Sequence, residues 1–158
     1  MSTITGQCHC GNLTSVVGYP SDVNHLTLFG CSCTYCRLHG LVWLGRPAQS
    51  LRLAAEDASF SHWYCTGPLH PCYLVCQHCG VVVATVCQFD NEWYGIMNAQ
   101  TAVLPTLPQD FVSFRPDSLT DEERQILRKQ RFVRGVQFEG GLQPPAIATH
   151  LLTAVATL

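Results

Sequence analysis

The sequence predicts a mainly β fold with a helix near its C-terminal end. Short runs of apolar and β-branched residues are separated by glycine, proline and other turn residues through most of the first hundred or so positions. The strongest run, from Val81 to Phe89, is nearly continuous in β-branched residues and has the length of a strand. The clear helix-start signal comes only after Pro105, where the composition changes.

The strands follow from this alternation and from the turn residues that bound each run. In the first of them, Leu13, Ser15 and Val17 alternate with their neighbours as in a mostly buried strand. A later short strand is stopped by Pro47. In chain order, the predicted strands are 12–19, 23–30, 42–45, 50–55, 59–64, 72–75, 81–89 and 92–99.

A helix is predicted near residues 120–134. Thr120 is placed as the N-cap and Glu123 as its capping-box partner, with acidic residues at the start and basic residues at the end. The apolar stripe is thin, so we expect the helix to lie on the surface of the sheet. The basic residues could face a ligand, but we interpret them as a solvated helix face. They are Arg124, Arg128, Lys129, Arg131 and Arg134.

The length of 158 residues and the 47% hydrophobic content suit one folded unit. Within it we predict a metal-binding β domain over residues 1–104 and a C-terminal extension over residues 105–158 that packs on it. Residues 139–145 predict a linker. The apolar tail from Ala146 to Leu158 predicts a helix or a strand that could join two copies as a homo-oligomer.

Charge and hydropathy exclude some classes of partner. A net charge of −2 gives no general attraction to phosphate backbones or anionic lipids, so we expect neither nucleic-acid nor membrane binding. No apolar run has the length needed to cross a bilayer, and the N-terminus lacks the features of a signal peptide. The sequence therefore predicts a cytoplasmic protein.

The sequence contains ten cysteines, and its predicted chemistry depends on them. In a reducing cytosol, closely spaced thiols are expected to bind metal rather than to form disulfides. Cys31, Cys33 and Cys36 have the spacing C-x-C-x-x-C, so one tight turn can direct three sulfurs at a single soft ion such as Zn²⁺. We expect an inner metal site at these residues.

A second group is formed by the two outer thiol pairs, each followed directly by glycine, Gly11 or Gly80. Glycine lets the backbone turn tightly beside a metal. Four thiolates close a tetrahedral site, and a site that joins distant segments stabilises the fold. The expected ligands of this structural zinc are Cys8, Cys10, Cys76 and Cys79.

Two alternatives remain for the fourth position of the inner site. We favour a position open to water or substrate, as in catalytic zinc sites, but a fourth protein ligand could also close it. The candidates for that ligand are Cys65, Cys72, His62, His70, His39 and His78.

The remaining thiols and two histidines have simpler interpretations. Cys65 and Cys72 could reach one another across a turn, but we interpret both as small core residues. Cys87 lies inside the apolar run and is expected in the core. His9 and His78 stand between metal ligands and are expected to be exposed.

Three motifs occur in a characteristic order: G-x-C-H-C-G, C-S-C-x-x-C-R and, roughly forty residues later, C-x-x-C-G. Over about residues 5–104 they resemble the glutathione-dependent formaldehyde-activating enzyme and centromere protein V family. The resemblance implies an Mss4-like fold of short antiparallel strands with two zinc ions. It implies a structural zinc on the four outer cysteines and a catalytic zinc on Cys31, Cys33 and Cys36.

The family joins formaldehyde and glutathione into S-hydroxymethylglutathione and is classed with the carbon–sulfur lyases. The resemblance therefore implies a zinc-dependent enzyme that acts on a small aldehyde–thiol adduct. The alternative is a non-catalytic zinc module that binds a protein partner. An anionic thiol such as glutathione would need cations near the inner cysteines, and Arg37 and Arg46 are the ones close to them in sequence.

Overall fold

The computed structural model describes residues 1–67 and 70–146, and within them the predicted mainly β fold is confirmed. The expected helix or strand of the C-terminal tail lies outside the described residues from position 147 onward. The strands are β1 (Ser2–Gln7), β2 (Leu13–Tyr19), β3 (Leu26–Cys31), β4 (Val42–Leu44), β5 (Ser50–Ala55), β6 (Ser61–Cys65), β7 (Cys72–Cys76), β8 (Val82–Phe89), β9 (Glu92–Asn98), β10 (Gln109–Phe114), β11 (Val133–Arg134) and β12 (Gln137–Glu139). The helices are α1 (Thr34–Leu38) and α2 (Asp121–Arg131).

The first sheet has the strand order β1-β2-β5-β12. The predicted alternation holds in β2, where Leu13, Ser15 and Val17 are buried. Strand β12 pairs in parallel with β5, with Gln137 opposite Arg52, although it reaches into the segment we predicted as a linker. Its three residues are too few for an alternating pattern to be recognised in the sequence.

The second sheet has the order β10-β3-β4-β9-β8-β7-β6, and β11 pairs with β9. The predicted strand 59–64 begins late, at Ser61, because Ala58–Phe60 form a short 3₁₀ turn capped by the side chain of Asp57. Strand β10 pairs in parallel with β3, which supplies the first inner cysteine at its end. The edge of this sheet therefore carries part of the predicted extension.

The two faces of the second sheet bury different clusters. Leu74 and Met97 belong to the main core, which the first sheet also lines. Their neighbours Tyr73 and Ile96 belong to a smaller cluster that includes Cys36. Because successive side chains of a strand point to opposite faces, the inner cysteines lie across the sheet from the main core.

Helix α2 confirms the helix prediction. Thr120 is its N-cap, and both hydrogen bonds of the capping box with Glu123 are present. At the other end, the Arg46 backbone N–H donates to the Arg131 carbonyl at 2.8 Å. The helix is thus fixed at both ends, on the face of the sheet that carries the inner cysteines, where Phe132 joins their cluster. No helix among the described residues has the length and hydrophobicity needed to cross a membrane.

Candidate metal centres and the adjoining cavity

The outer cysteines meet where two strand connections approach each other. Cys8 and Cys10 lie between β1 and β2, whereas Cys76 ends β7 and Cys79 lies in the β7–β8 connection. All four sulfurs lie within 4.8 Å of one another, and the Sγ atoms of Cys10 and Cys76 are 3.5 Å apart. Four thiolates bound at about 2.3 Å to one ion would have sulfur–sulfur distances of about 3.8 Å. The group therefore fits a tetrahedral metal site that joins the two sheets.

The two corners of this site are built alike. The Cys8 N–H donates to the Leu13 carbonyl at 2.9 Å, and the Cys76 N–H donates to the Val81 carbonyl at 3.0 Å. The glycine after each second thiol, Gly11 or Gly80, has a positive φ of 83° or 75° and donates back to the first cysteine's carbonyl. Glycine adopts this backbone conformation without the steric cost that a side chain adds. The repeated thiol–glycine pattern thus corresponds to two similar turns, which differ by one residue in length.

Backbone donors also act on the sulfurs. The Leu13 N–H donates to Cys8 Sγ at 3.2 Å, although burial raises the pKa of that thiol to about 12. At Cys79 burial acts in the same direction, but hydrogen bonds from the backbone of Cys10 and Val81 prevail and lower the pKa to about 6. A thiolate at Cys79 is therefore stabilised by the fold itself, as a metal ligand requires.

The inner cysteines lie at the junction of β3 and α1. Cys31 ends β3, Cys33 is the N-cap of α1, and Cys36 lies within the helix. The Cys36 N–H donates to Cys33 Sγ at 3.4 Å, and the three sulfurs lie within 4.8 Å of one another. Five residues are too few for a helical pattern, so the sequence did not predict α1. The structure brings together the three residues that the spacing singled out.

The three inner cysteines shift one another's pKa values through hydrogen bonds between their side chains. Side-chain hydrogen bonds from Cys31 and Cys36 lower the pKa of Cys33, whereas the hydrogen bond to Cys33 is the main cause that raises the pKa of Cys31. The Tyr73 hydroxyl lies 3.6 Å from Cys36 Sγ. Burial raises the pKa of Tyr73, so its hydroxyl stays protonated and can donate to a thiolate. Sequence reasoning missed this tyrosine because nothing in its strand pattern distinguishes it from a core residue.

Among residues 1–67 and 70–146, no fourth histidine, cysteine or carboxylate ligand atom joins this group within 4.8 Å. His39 packs on the ring of Tyr35, with 4.4 Å between ring centroids, and His78 packs on Phe60 at 3.8 Å. His9 and His78 are exposed, as predicted.

Cys65 and Cys72 form a disulfide between β6 and β7, so their interpretation as separate core residues is wrong. The two residues are direct partners in the antiparallel register, which brings their thiols together whatever the intervening turn. Cys87 is buried, as predicted, and burial raises the pKa of its thiol to about 12.

A cavity of about 480 Å³ adjoins the inner cysteines, and all three of them line it. Half of the remaining wall residues are aromatic or aliphatic, and they come from β3, α1, β4, β6, β7, β9, β10, α2 and the residue that follows α2. These residues are Phe29, Tyr35, Leu38, Trp43, Tyr64, Tyr73, Ile96, Phe114, Leu127 and Phe132. The outer cysteines are absent from this wall as far as the chain is described. The two cysteine groups therefore have different surroundings.

Three of the helix arginines line the cavity, which corrects the solvated-face interpretation. They are Arg124, Arg128 and Arg131, spaced so that they share one face of α2. The prediction holds for Lys129, which lies 2.8 Å from Asp90, and for Arg134, which pairs with Glu92. The sequence pattern failed because a buried arginine on an otherwise apolar face looks identical to a surface arginine. Arg37 and Arg46, the cations near the cysteines in sequence, do not line the cavity in the described structure.

Comparisons with known proteins leave the family open. The sequence matches no model of a known protein family, and no curated protein matches it. One solved structure that the chain resembles is the crystal structure of a Rhodobacter sphaeroides protein determined as a structural genomics target. That protein is 21% identical, the match covers 66% of this chain and 98% of the other, and the TM-score is 0.47.

Proposed function

We propose that this protein is a zinc-dependent enzyme of the carbon–sulfur lyase type that makes or cleaves a small aldehyde–thiol adduct. The observation that carries the proposal is that Cys31, Cys33 and Cys36 all line one cavity. An ion held by these three sulfurs would face a space large enough for a small organic substrate. The motif resemblance to the glutathione-dependent formaldehyde-activating enzyme and centromere protein V family supports the same assignment.

The donor sets support zinc as the metal. Groups made only of thiolates suit soft or borderline ions, and Zn²⁺ is the ion that proteins most often bind in this way. The outer group, with four sulfurs and a place between the sheets, fits a structural role. The inner group, with three described ligand atoms at a cavity wall, fits a catalytic one.

When bound, zinc can stabilise a substrate thiol as thiolate or polarise a carbonyl oxygen. The chain's own residues supply the rest. The aromatic and aliphatic part of the cavity wall can hold the two reactants side by side, which lowers the barrier of a bimolecular step. The Tyr73 hydroxyl lies within reach of Cys36 Sγ and can donate a hydrogen bond to it. This donor would stabilise the negative charge on the sulfur while substrate binds.

The direct test is turnover by the zinc-loaded protein. The protein is incubated with pairs of small aldehydes and thiols, and adduct formation or decay is followed by NMR, with Cys33→Ala compared with Cys87→Ala. We expect zinc-dependent turnover that Cys33→Ala abolishes and that Cys87→Ala retains, because Cys87 lies in a separate buried cluster. A fully loaded protein that turns over none of the pairs would contradict the proposal and favour the non-catalytic zinc module.

A further inference from the structure

We propose that the cavity selects an organic monoanion with an apolar, preferably aromatic body, whose anionic group binds Arg131 while its other end faces the inner cysteines. As an assignment of substrate class this rests on the proposed function. The binding itself does not require catalysis, so the two can be tested apart.

Of the three cavity arginines, Arg131 has the surroundings that best suit the anionic group of a ligand. Its guanidinium lies over the Phe29 ring at 5.0 Å and over the Phe114 ring at 5.3 Å, which fixes its plane. Its Nη1 is buried and finds no hydrogen-bond partner among the described residues. A charged group with a buried, unpartnered donor is poorly solvated, so it gains more than an exposed guanidinium from an anion placed against the part of Arg131 that lines the cavity. A planar guanidinium also matches a carboxylate in two parallel hydrogen bonds.

The other two cavity arginines are already engaged in different ways. Arg124 donates to the Pro116 carbonyl at 2.8 Å and pairs with Asp121 at 2.8 Å, so it anchors the start of α2. Arg128 is 7% exposed, and its attractive electrostatic partners are Cys87 first, then Tyr73 and Cys31. Its charge is therefore already engaged by several buried groups around the cavity. Arg131 is left to recognise a ligand.

The wall leaves one cation for one anionic group, which favours a monoanion. Apart from the cysteines, it carries three arginines, of which Arg124 and Arg128 are engaged, and a single carboxylate, the exposed Asp117. A zwitterionic peptide such as glutathione has two carboxylates and an ammonium group, and this wall offers little to the ammonium. The ring of Tyr35 stacks on Tyr64, with centroids 4.9 Å apart, and packs at a tilt on Tyr73, with centroids 4.2 Å apart, so the three rings instead form an aromatic surface for an apolar body.

The experiment measures binding of two matched probes to the zinc-loaded protein by calorimetry. The probes are phenylacetate and its neutral analogue 2-phenylethanol, and the variants are Arg131→Gln, Arg131→Lys and the control Lys129→Gln on the exposed side of the same helix. We expect phenylacetate to bind more tightly than the alcohol. We expect Arg131→Gln to weaken phenylacetate by about tenfold or more, since one charge-assisted contact is lost, and to leave the alcohol unchanged.

Arg131→Lys should restore part of the affinity, because it keeps the charge but loses the planar donor pair. Lys129→Gln should bind both probes as the parent protein does. Equal affinity for acid and alcohol, or an acid affinity that Arg131→Gln leaves unchanged because the carboxylate binds the metal directly, would overturn the inference. If the acid binds through Arg131 but no aldehyde–thiol pair is turned over, the proposed function is contradicted and this inference is supported.

Discussion

The hydroxyl of Tyr73 lies 3.6 Å from Sγ of Cys36, so strand β7 reaches the inner cysteine group through a side chain. The same strand ends at Cys76, a member of the outer group. Tyr73 and Cys76 are an odd number of residues apart and belong to clusters on opposite faces of the sheet. One strand therefore supports both candidate metal centres, and a small change in it can be directed at one centre without the other.

Tyr73→Phe should weaken metal binding at the inner group by about 10- to 100-fold, because a donor that orients a metal ligand is removed. The outer group should keep its affinity. Competition with a chromophoric chelator measures both sites. Tyr19→Phe is the control, since the Tyr19 hydroxyl donates to the Gly45 carbonyl rather than to a sulfur. Equal losses in the two variants would mean that only general stability had changed.

Removal of the disulfide should leave metal content intact. In the double variant Cys65→Ala and Cys72→Ala, we expect the same number of bound metal ions per chain as in the parent protein, because neither residue belongs to a candidate metal group. The free energy of unfolding should fall by roughly 2 kcal/mol, as for other short disulfide loops. Elemental analysis and urea unfolding under non-reducing conditions measure the two quantities. Loss of a metal ion would show that these cysteines serve a site in solution.

The features that could be predicted from the sequence are those specified by residues close together in the chain. Strand β5 and the capping box of α2 were predicted almost to the residue, because each is specified by neighbouring side chains. The cavity position of Arg131 was not, because it arises from packing against a distant segment. The Cys65–Cys72 disulfide was not predicted either, because it depends on the register of β6 against β7, which the sequence pattern did not specify. The cysteine spacing predicted each candidate metal group, but the group's surroundings depend on which face of the sheet it occupies.

The capping box makes the stability of α2 dependent on pH. Hydrogen bonds from Thr120, its backbone N–H first, lower the pKa of Glu123 in the folded state. The contribution is therefore fully present above the unfolded pKa and is lost as the pH falls through the lower, folded pKa. We expect the stability difference between the parent protein and Glu123→Gln to be largest near neutral pH and to disappear in acid. Chemical unfolding at a series of pH values measures it, and a difference independent of pH would contradict it.

Thr120→Ala tests the other half of the capping box. The N-cap hydroxyl accepts from the Glu123 N–H at 3.2 Å, and its loss should lower the free energy of unfolding by about 1 kcal/mol. Since Arg131 lies at the far end of the helix and is held there by Arg46, phenylacetate binding should change little. A large loss of binding would mean that the whole helix, rather than its C-terminal turn, positions the guanidinium.

Gly45→Ala should disturb that C-terminal turn directly. A Cβ at Gly45 would collide with the backbone carbonyl of Arg131 and lie 2.8 Å from Ile96 Cδ1, so either the helix end or β9 must move. We expect a loss of about 1 to 3 kcal/mol in the free energy of unfolding, as for other overpacked sites, and weaker phenylacetate binding with unchanged metal content. Gly18→Ala is the matched control, because its Cβ would meet only the side chains of Ser50 and Met1, which can turn away. Binding of the acid that survives Gly45→Ala at full strength would show that the position of Arg131 is not set by this contact.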